Sequence, residues 1–424
     1  MRVLVIGGGG REHALIKKLK ESPEVTELFA LPGNGGIAAD AVCVPIGPGE
    51  IDKIADFAAE HKIDFAVVGP DEPLVRGCVD ALEARGVPAF GPNKAAAILE
   101  GSKIFSKNLM RRYGIPTAAY ESFEDMDAAL AYLETAPLPA VIKADGLALG
   151  KGVVIAQTRQ EARDAVRAMM GDRVFGESGC RVVVEEFLEG PEVSVLAFTD
   201  GKIMVPMVSS MDHKRAGDGD QGPNTGGMGA VAPNPYYTSA MAERCMKEIF
   251  RPTMHAMNAE GRTFRGCLYF GLILTAEGPK VIEYNCRFGD PETQAVLPLL
   301  KSDLYPILRA VRDGRLDEVS VEFSGGSACC VVLASRGYPG RYESGCPLAF
   351  PADRPDLKAY AAGVKREGEA LVSAGGRVLG VTALADTLAQ AVEKAYAAAE
   401  RVDFQTGFYR RDIGARALRA GEGK

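Results

Sequence analysis

Over its first hundred residues the chain alternates short, unbroken apolar runs with amphipathic stretches. "RVLVIG" (2–7), "LFAL" (28–31), "FAVVG" (65–69) and "PAFG" (88–91) lack polar alternation, as strands buried on both faces of a parallel sheet require. Between them, "EHALIKKLK", "EIDKIADFAAEHK" and "PLVRGCVDALEARG" place Leu, Ile, Ala and Phe at helical spacing beneath charged outer faces. This βαβαβ order predicts an open doubly wound sheet, whose ligands collect beyond the carboxyl ends of the strands. The loops "GGGGREH", "PGN" and "GPDEP" follow strand ends and are expected to converge on one crevice.

From residue 118 the pattern changes. "AVIKAD", "GVVIAQ" and "RVVVEEFL" read as strands, with a helix "RQEARDAVRAMM" before the last, giving a small α+β unit. "EVSVLAFTDGKIMVPMV" predicts an antiparallel hairpin turning at Asp200-Gly201. A helix over roughly 239–260 and a second hairpin, "CLYFGLILTAEGPKVIEYNCR", follow. "ACCVVLAS", "RVLGVTAL" and "LAQAVEKAYAAAERV" predict a smaller α+β module from about residue 327. Between the two hairpins, "DHKRAGDGDQGPNTGGMGA" (212–230) holds six glycines and shows neither helical nor strand periodicity. Loops of that length inside compact domains are uncommon and are usually functional or disordered.

Composition narrows the class. The 424 residues exceed one ordinary core, and 47% hydrophobic with 25% charged residues is a globular balance. A net charge of −7 gives no basic field, which argues against a nucleic-acid partner. No apolar run approaches the ~18–20 residues that span a bilayer, and "MRVLVIGGGG" is too short in apolar residues for a signal peptide. Nine cysteines without a CxxC pair suggest reduced thiols and a cytoplasmic location.

The opening glycines do not fit a dinucleotide-binding turn. Counted from Gly7, Glu12 stands where the third glycine should let helix pack on strand, and "LPGN" ends the second strand without a ribose-binding acid. Successive backbone N–H groups at a helix start still suit a phosphate, and Arg11 adds charge; a plain structural turn is the alternative. "KADGLALGKG" (143–152) is not a Walker loop, since three residues separate Gly146 from Gly150 and Gly152 replaces Ser/Thr. Lys143 nevertheless ends an apolar strand, where a buried ammonium needs an anionic partner, and Lys151 follows among glycines. In "VIEYNCRFGDPE" (281–292), Glu283 and Asn285 share a strand face and form a hard oxygen pair suited to Mg²⁺ shared with phosphates. Arg287 lies further along and can hold a carboxylate or a phosphate. In "VVVEEFLEGPE" (182–192) an exposed connector can read an adenine edge and Glu192 ribose hydroxyls, though a solvated Glu-rich linker explains it equally well.

Together these strings resemble the ATP-grasp superfamily and, more narrowly, the phosphoribosylamine–glycine ligase family. The likeness runs from "GGREHAL" to "YRRDIGARAL", and its most specific strings are "LEGSK" (99–103), "KADGL…GKGV" (143–153), "DHKR…GPNTGGMGA" (212–230) and "NCRFGDPET" (285–293). The resemblance implies an α/β and α+β multidomain protein: a doubly wound phosphoribosylamine-binding domain (1–102), a linker helix (103–118), a small ATP-grasp lid lobe (119–189), a large lobe with the metal site (190–326) and a C-terminal α+β domain (327–424). It implies ligation of glycine to 5-phosphoribosylamine with ATP as co-substrate, through a glycyl phosphate, in de novo purine synthesis. Lys103 and Lys143 would hold nucleotide phosphates, with Gly150, Lys151 and Gly152 closing above them. Glu185, Glu186, Phe187 and Leu188 would meet adenine, and Glu192 the ribose. Glu283 and Asn285 would bind Mg²⁺ (or Mn²⁺). Arg287, Lys143 and Lys214 would serve the reaction directly, Arg287 by holding glycine or the acyl phosphate. Gly10, Arg11, Glu12, Asn34 and Asp71 would take phosphoribosylamine, while the 212–230 loop would close on substrates with Asp212, Lys214, Arg215 and Asn224. A monomer, with labile phosphoribosylamine handed over from an upstream enzyme, is the expected organisation.

Five positions depart from the family pattern: Gly8, the Asp71-Glu72 pair, Leu149 and Phe270. They bear on loop closure and phosphoribosylamine affinity, not on reaction class. The rival readings are another ATP-grasp carboxylate–amine ligase, such as a biotin-carboxylase-like enzyme, and a regulatory nucleotide-binding protein with a dead site. Retention of Lys143, Glu283, Asn285 and Arg287 together argues against the second.

Overall fold

The strand Arg2–Gly7 sends Val3 and Val5 into one hydrophobic core and Leu4 and Ile6 into another. Phe65 and Val67 join the first core and Ala66 and Val68 the second, which is why these strands carry no polar alternation. The structure is a computed structural model and describes residues 1–148 and 152–422. Leu149, Gly150 and Lys151, expected in the phosphate loop, lie outside the described residues.

The N-terminal sheet is parallel, in the order Val42–Cys43, Glu27–Pro32, Arg2–Gly7, Phe65–Val68, Ala89–Phe90. The two-residue edge strand was not legible in the pattern. "PLVRGCVDALEARG" is two helices, Asp71–Arg76 and Cys78–Ala84, because Gly77 sits at φ +91° between them. Glu12 fills the place of the missing third glycine: its carboxylate accepts from Gly9 N (2.7 Å) and braces the glycine turn.

The lid lobe is an antiparallel sheet in the order Tyr120–Phe123, Val182–Glu186, Ala140–Ala144, Val153–Ala156, with its own core around Leu133, Ile142, Val166 and Val184. Its first strand and the helix Met126–Leu133 were unread in the sequence. The large lobe orders Met204–Pro206, Glu192–Thr199, Gly266–Thr275 and Gly278–Asn285 antiparallel, as the two predicted hairpins require.

The segment 212–230 overturns its expectation as an irregular loop. It holds four strands: Met211–Asp212, Arg215–Gly217, Gln221–Asn224 and Gly229–Ala232. The middle two form a hairpin, and the outer two enter the C-terminal sheet beside Ser327–Ser335, Arg377–Ala385 and Leu357–Ala361. Six glycines masked the strand period, and the second partner of Gly229–Ala232, Ser327–Ser335, lies about a hundred residues further on. Helix Leu304–Asp313 packs between the N-terminal sheet, where Tyr305 meets Phe65 edge-on at 5.8 Å, and strand Gly266–Thr275 of the large lobe, sharing one core with Phe198 and Tyr269.

Candidate active site

The carboxyl end of strand Ala140–Ala144 and the end of strand Gly278–Asn285 face one another across the cleft between the lobes. Lys143 Nζ donates to Ile282 O at 3.1 Å. The sheet register explains that carbonyl's direction: Gly271 pairs with Glu283 and Leu272 with Val281, so Ile282 is the extra residue of a bulge. Asp145, two residues beyond Lys143, accepts from Ser102 Oγ (2.9 Å) and Ile104 N (2.8 Å), fixing the start of helix Lys103–Tyr113. Lys103 is thereby held at the cleft, donating to Gly146 O at 3.0 Å. Gly152 O accepts from Ala144 N at 2.9 Å, at the far side of the glycine-containing loop.

Four cations converge on Glu283. Burial raises its carboxyl, but Lys214, Lys143, Lys103 and Arg287 more than offset this and hold it below the usual carboxylate range. Lys214 Nζ lies 3.2 Å from Glu192 and 3.9 Å from Glu283, and the Glu192 charge chiefly raises its ammonium far above the ordinary range. Burial depresses the Lys103 ammonium, with Glu283 opposing. Arg287 Nη2 reaches Asn285 Oδ1 (3.1 Å) and Glu100 Oε1 (3.3 Å).

The connector expected to meet adenine divides. The Glu185 side chain is buried, and its Oε2 lies 3.0 Å from both Lys107 and Lys143. The anionic partner that Lys143 needed is thus already supplied within the protein. Glu186 accepts from Ala119 N (2.9 Å), and Phe187 and Leu188 continue half-buried outside the sheet, with the Leu188 backbone unpaired among the described residues.

The N-terminal crevice opens onto the same region. Arg11 donates to Phe288 O (3.0 Å) and to Glu12 Oε1 (2.6 Å), and Gly10 backs onto Gln294. Asp71, at a helix start, lies close enough to Glu100 and Arg287 to perturb both. Asn34 differs from expectation, since its side chain is fully engaged. Nδ2 donates to Gly8 O (2.9 Å) and Ala361 O (3.0 Å), while Oδ1 accepts from Gly36 N and Ile37 N. Arg215 likewise turns to its own hairpin, donating to Gly222 O at 2.8 Å, across from Asn224. Asp212 is different: burial and the neighbouring Glu292 charge raise its carboxyl well above the usual range.

Residues 1–100 match the phosphoribosylglycinamide synthetase N domain, 101–293 its ATP-grasp (A) domain and 328–416 its C domain. The chain belongs to the phosphoribosylglycinamide synthetase family. It is similar to the phosphoribosylamine–glycine ligase of Rhizobium meliloti, 50% identical over 419 residues and 99% of each chain. It is also similar to that of Escherichia coli, 48% identical over 424 residues. The crystal structure of the Thermotoga maritima phosphoribosylamine–glycine ligase superposes with a TM-score of 0.86 at 35% identity, covering 97% of this chain and 100% of that one. Biotin carboxylase from Campylobacter jejuni, 14% identical with a TM-score of 0.74 over 95% of this chain and 91% of that one, shares the fold alone.

Within this family member the donor set fits a divalent cation shared with phosphates. Glu283 is kept ionised, Asn285 keeps its amide oxygen at the same strand end, and the surrounding lysines suit polyanions. Among the described residues there is no group of three or more His, Cys, Asp or Glu that could hold a metal by itself. Two protein oxygens therefore need phosphate or water to complete a shell.

Several site residues escaped the sequence reading. Glu100 accepts from Cys286 N (2.6 Å), and burial pushes its carboxyl up to about 7 against the pull of Arg287. Lys107 shares Glu185 with Lys143. Arg377 reaches Gly226 O (2.8 Å), Asp290 O (2.7 Å) and Asp290 Oδ2 (3.3 Å). Glu100 and Glu292 sit inside strings already singled out, whereas Arg377 lies in an ordinary strand and carries no local signal.

Proposed function

We infer that this chain ligates glycine to 5-phosphoribosylamine at the expense of ATP, giving glycinamide ribonucleotide, ADP and phosphate in purine biosynthesis. The observation that carries this is the convergence of Lys103, Lys143, Lys214 and Arg287 on Glu283 in a chain of this family. A glycine carboxylate oxygen attacks the γ-phosphorus, the bond to the β–γ bridging oxygen breaks, and ADP leaves. The amine of phosphoribosylamine then attacks the acyl carbon and loses a proton, and the C–O bond to phosphate breaks. Both steps join anions, so charge neutralisation and exclusion of water are what the protein must supply.

We propose that Lys103 and Lys143 hold nucleotide phosphates, the 186–188 connector meets adenine, and Glu192 takes ribose hydroxyls. Glu283 and Asn285 would hold Mg²⁺ or Mn²⁺, which when bound offsets phosphate charge during transfer. Arg287 and Lys214 would hold glycine and its acyl phosphate, with Asp212 on the amine side. The glycine turn with Gly10 and Arg11, braced by Glu12, and the Asp71 helix start would receive phosphoribosylamine; Asn34 shapes that crevice through its backbone brackets. We further propose a cytoplasmic monomer that accepts phosphoribosylamine by handover, with functional units near 1–102, 103–118, 119–189, 190–326 and 327–424. No helix among the described residues is long and apolar enough to cross a membrane.

ADP release, followed with phosphoribosylamine generated in situ, is expected to require glycine and the amine together. Turnover with another carboxylate, or with neither substrate, would overturn the assignment.

A further inference from the structure

Lys107 and Lys143 share one carboxylate. Both nitrogens lie 3.0 Å from Glu185 Oε2, and the three side chains are 2, 5 and 4% exposed respectively. Two cations on one anion leave this buried cluster with an excess positive charge. The two lysines are not held alike. Lys107 also donates to Thr117 Oγ1 (2.8 Å) and Ala118 O (3.4 Å), and its nitrogen lies 5.4 Å from the Tyr120 ring centre. Thr117 in turn donates to Val281 O at 2.7 Å, so Lys107 is tied to both lobes of the cleft. Among the described residues the direct hydrogen-bond and ion-pair partners of Lys143 are Glu185 and the bulge carbonyl of Ile282. The second oxygen of Glu185, Oε1, is buried and without a partner among the described residues.

We propose that Lys107 is a positioning residue for nucleotide binding, which remains on Glu185 as its counter-ion when Lys143 leaves that carboxylate for a phosphate. This rests on Lys143 being a phosphate ligand. Without Lys107, withdrawing Lys143 would strand a carboxylate that is almost completely removed from water, a costly state for any ion. With Lys107 in place the exchange keeps Glu185 paired at every stage, and the spare charge of the cluster is the one offered to the nucleotide. Burial draws the Lys107 ammonium down to about 8, with Glu185 opposing, so it still carries its charge at neutral pH. Glu186 also adds to its retention.

The test is calorimetric titration of the full chain with ADP. Lys107→Met is expected to weaken ADP binding about tenfold or more, and Lys107→Met/Glu185→Gln to recover to within about threefold of the wild type, because no carboxylate is left stranded. KM for ATP should rise in the single variant while kcat at saturating ATP changes by less than about threefold. A merely structural lysine would not be rescued by removing its partner's charge. Circular dichroism checks each variant's fold, and Lys107→Gln, which keeps a bond to Thr117 without the charge, substitutes if Lys107→Met does not fold. Wild-type ADP affinity in the single variant, or a double variant as weak as the single, would overturn the proposal. Lys143→Met separates the two levels. If it binds ADP like the wild type, the phosphate role of Lys143 fails and the exchange with it; if it binds weakly while Lys107→Met does not, only the role of Lys107 fails.

Discussion

Arg410 Nη1 lies 2.9 Å from Asp220 Oδ1, joining the last stretch of the chain to the hairpin that follows Lys214. The same guanidinium, only 1% exposed, pairs with both oxygens of Asp412 at 2.8 Å and donates to Arg215 O at 3.1 Å. Asp218 accepts from Arg411 N, and Asp412 from Gly219 N, so the contact is reciprocal. Arg410→Met should lose on the order of 2 kcal/mol, since the acids it leaves are partly solvated. Trypsin cleavage after Lys214 and Arg215 should accelerate in that variant while ADP affinity holds. Equal cleavage rates in wild type and variant would mean the hairpin is secured elsewhere.

The hairpin also shows where sequence stops being informative. Elements with a local period were legible, among them four of the five strands of the N-terminal sheet and both large-lobe hairpins. The strands at 211–232 were not, because glycines replace the alternating residues and the sheet they join, entered by Gly229–Ala232 pairing with Ser327–Ser335, lies far along the chain. Glycine signalled mobility, whereas Gly226, Gly227 and Gly229 mark close approach, a Cβ at each falling within 2.9 Å of a neighbouring atom. At the site, Lys143, Glu283, Asn285 and Arg287 stood out as polar groups interrupting apolar strands or ending them. Lys107 and Arg377 did not, since one lies on a helix rich in basic residues and the other in an ordinary strand. Glu185 was visible as an acid at a connector, but its inward direction depends on a lysine from another element.

Glu283→Gln or Asn285→Leu should lower kcat on the order of 10²–10³ with the fold intact, each removing a donor that serves charge in the transferring group. Both stand on one strand end, so the double variant should lose far less than the product of the two. Near-normal turnover of Glu283→Gln at moderate Mg²⁺ would remove the metal assignment.

Passage through glycyl phosphate requires one carboxylate oxygen of glycine to finish in inorganic phosphate. Glycine carrying heavy oxygen in its carboxylate should pass label to phosphate at one atom per turnover. Unlabelled phosphate would exclude the intermediate.

His213 gives a pH signature. Burial, aided by the Arg410 cation, draws its imidazole down to about 4 from 6.5, while its bond to Gly229 O opposes. Nε2 accepts from Gly414 N at 3.1 Å, which a protonated ring cannot do. Asp220 and Arg416 are the other charges that face it. Because the folded value is depressed, the unfolded chain takes up the proton first as pH falls. The stability contributed by neutral His213 is thus complete above about 6.5 and lost progressively toward 4. Glu100, raised to about 7, works in the opposite sense, adding stability as pH falls through that range. Comparing Tm of wild type and His213→Gln between pH 7.5 and pH 5, roughly the span in which histidine titrates, therefore isolates His213. The wild type should lose more Tm than the variant; parallel slopes would contradict the depressed value.

Gly227 provides the sharpest test of the 212–230 segment. Its φ of +115° is one that side chains rarely adopt, and a Cβ there would fall 2.7 Å from Asp212 Oδ1 and against the Pro291 ring. Arg377 holds the adjoining carbonyls of Gly226 and Gly227 at 2.8 and 3.3 Å, so the backbone has little freedom to retreat. Gly227→Ala should therefore cost about 1–2 kcal/mol in strain and push the Asp212 carboxylate out of place. Lys143, Lys103 and the 186–188 connector lie on other elements and should be undisturbed. The expected result is a fall in kcat on the order of 10–10², from misplacement of groups at the reacting centre, with a raised KM for glycine. ADP affinity should stay within about threefold of the wild type. An unchanged KM for glycine together with normal kcat would show that Asp212 does not face the substrates, and that the glycine serves only the packing of Pro291.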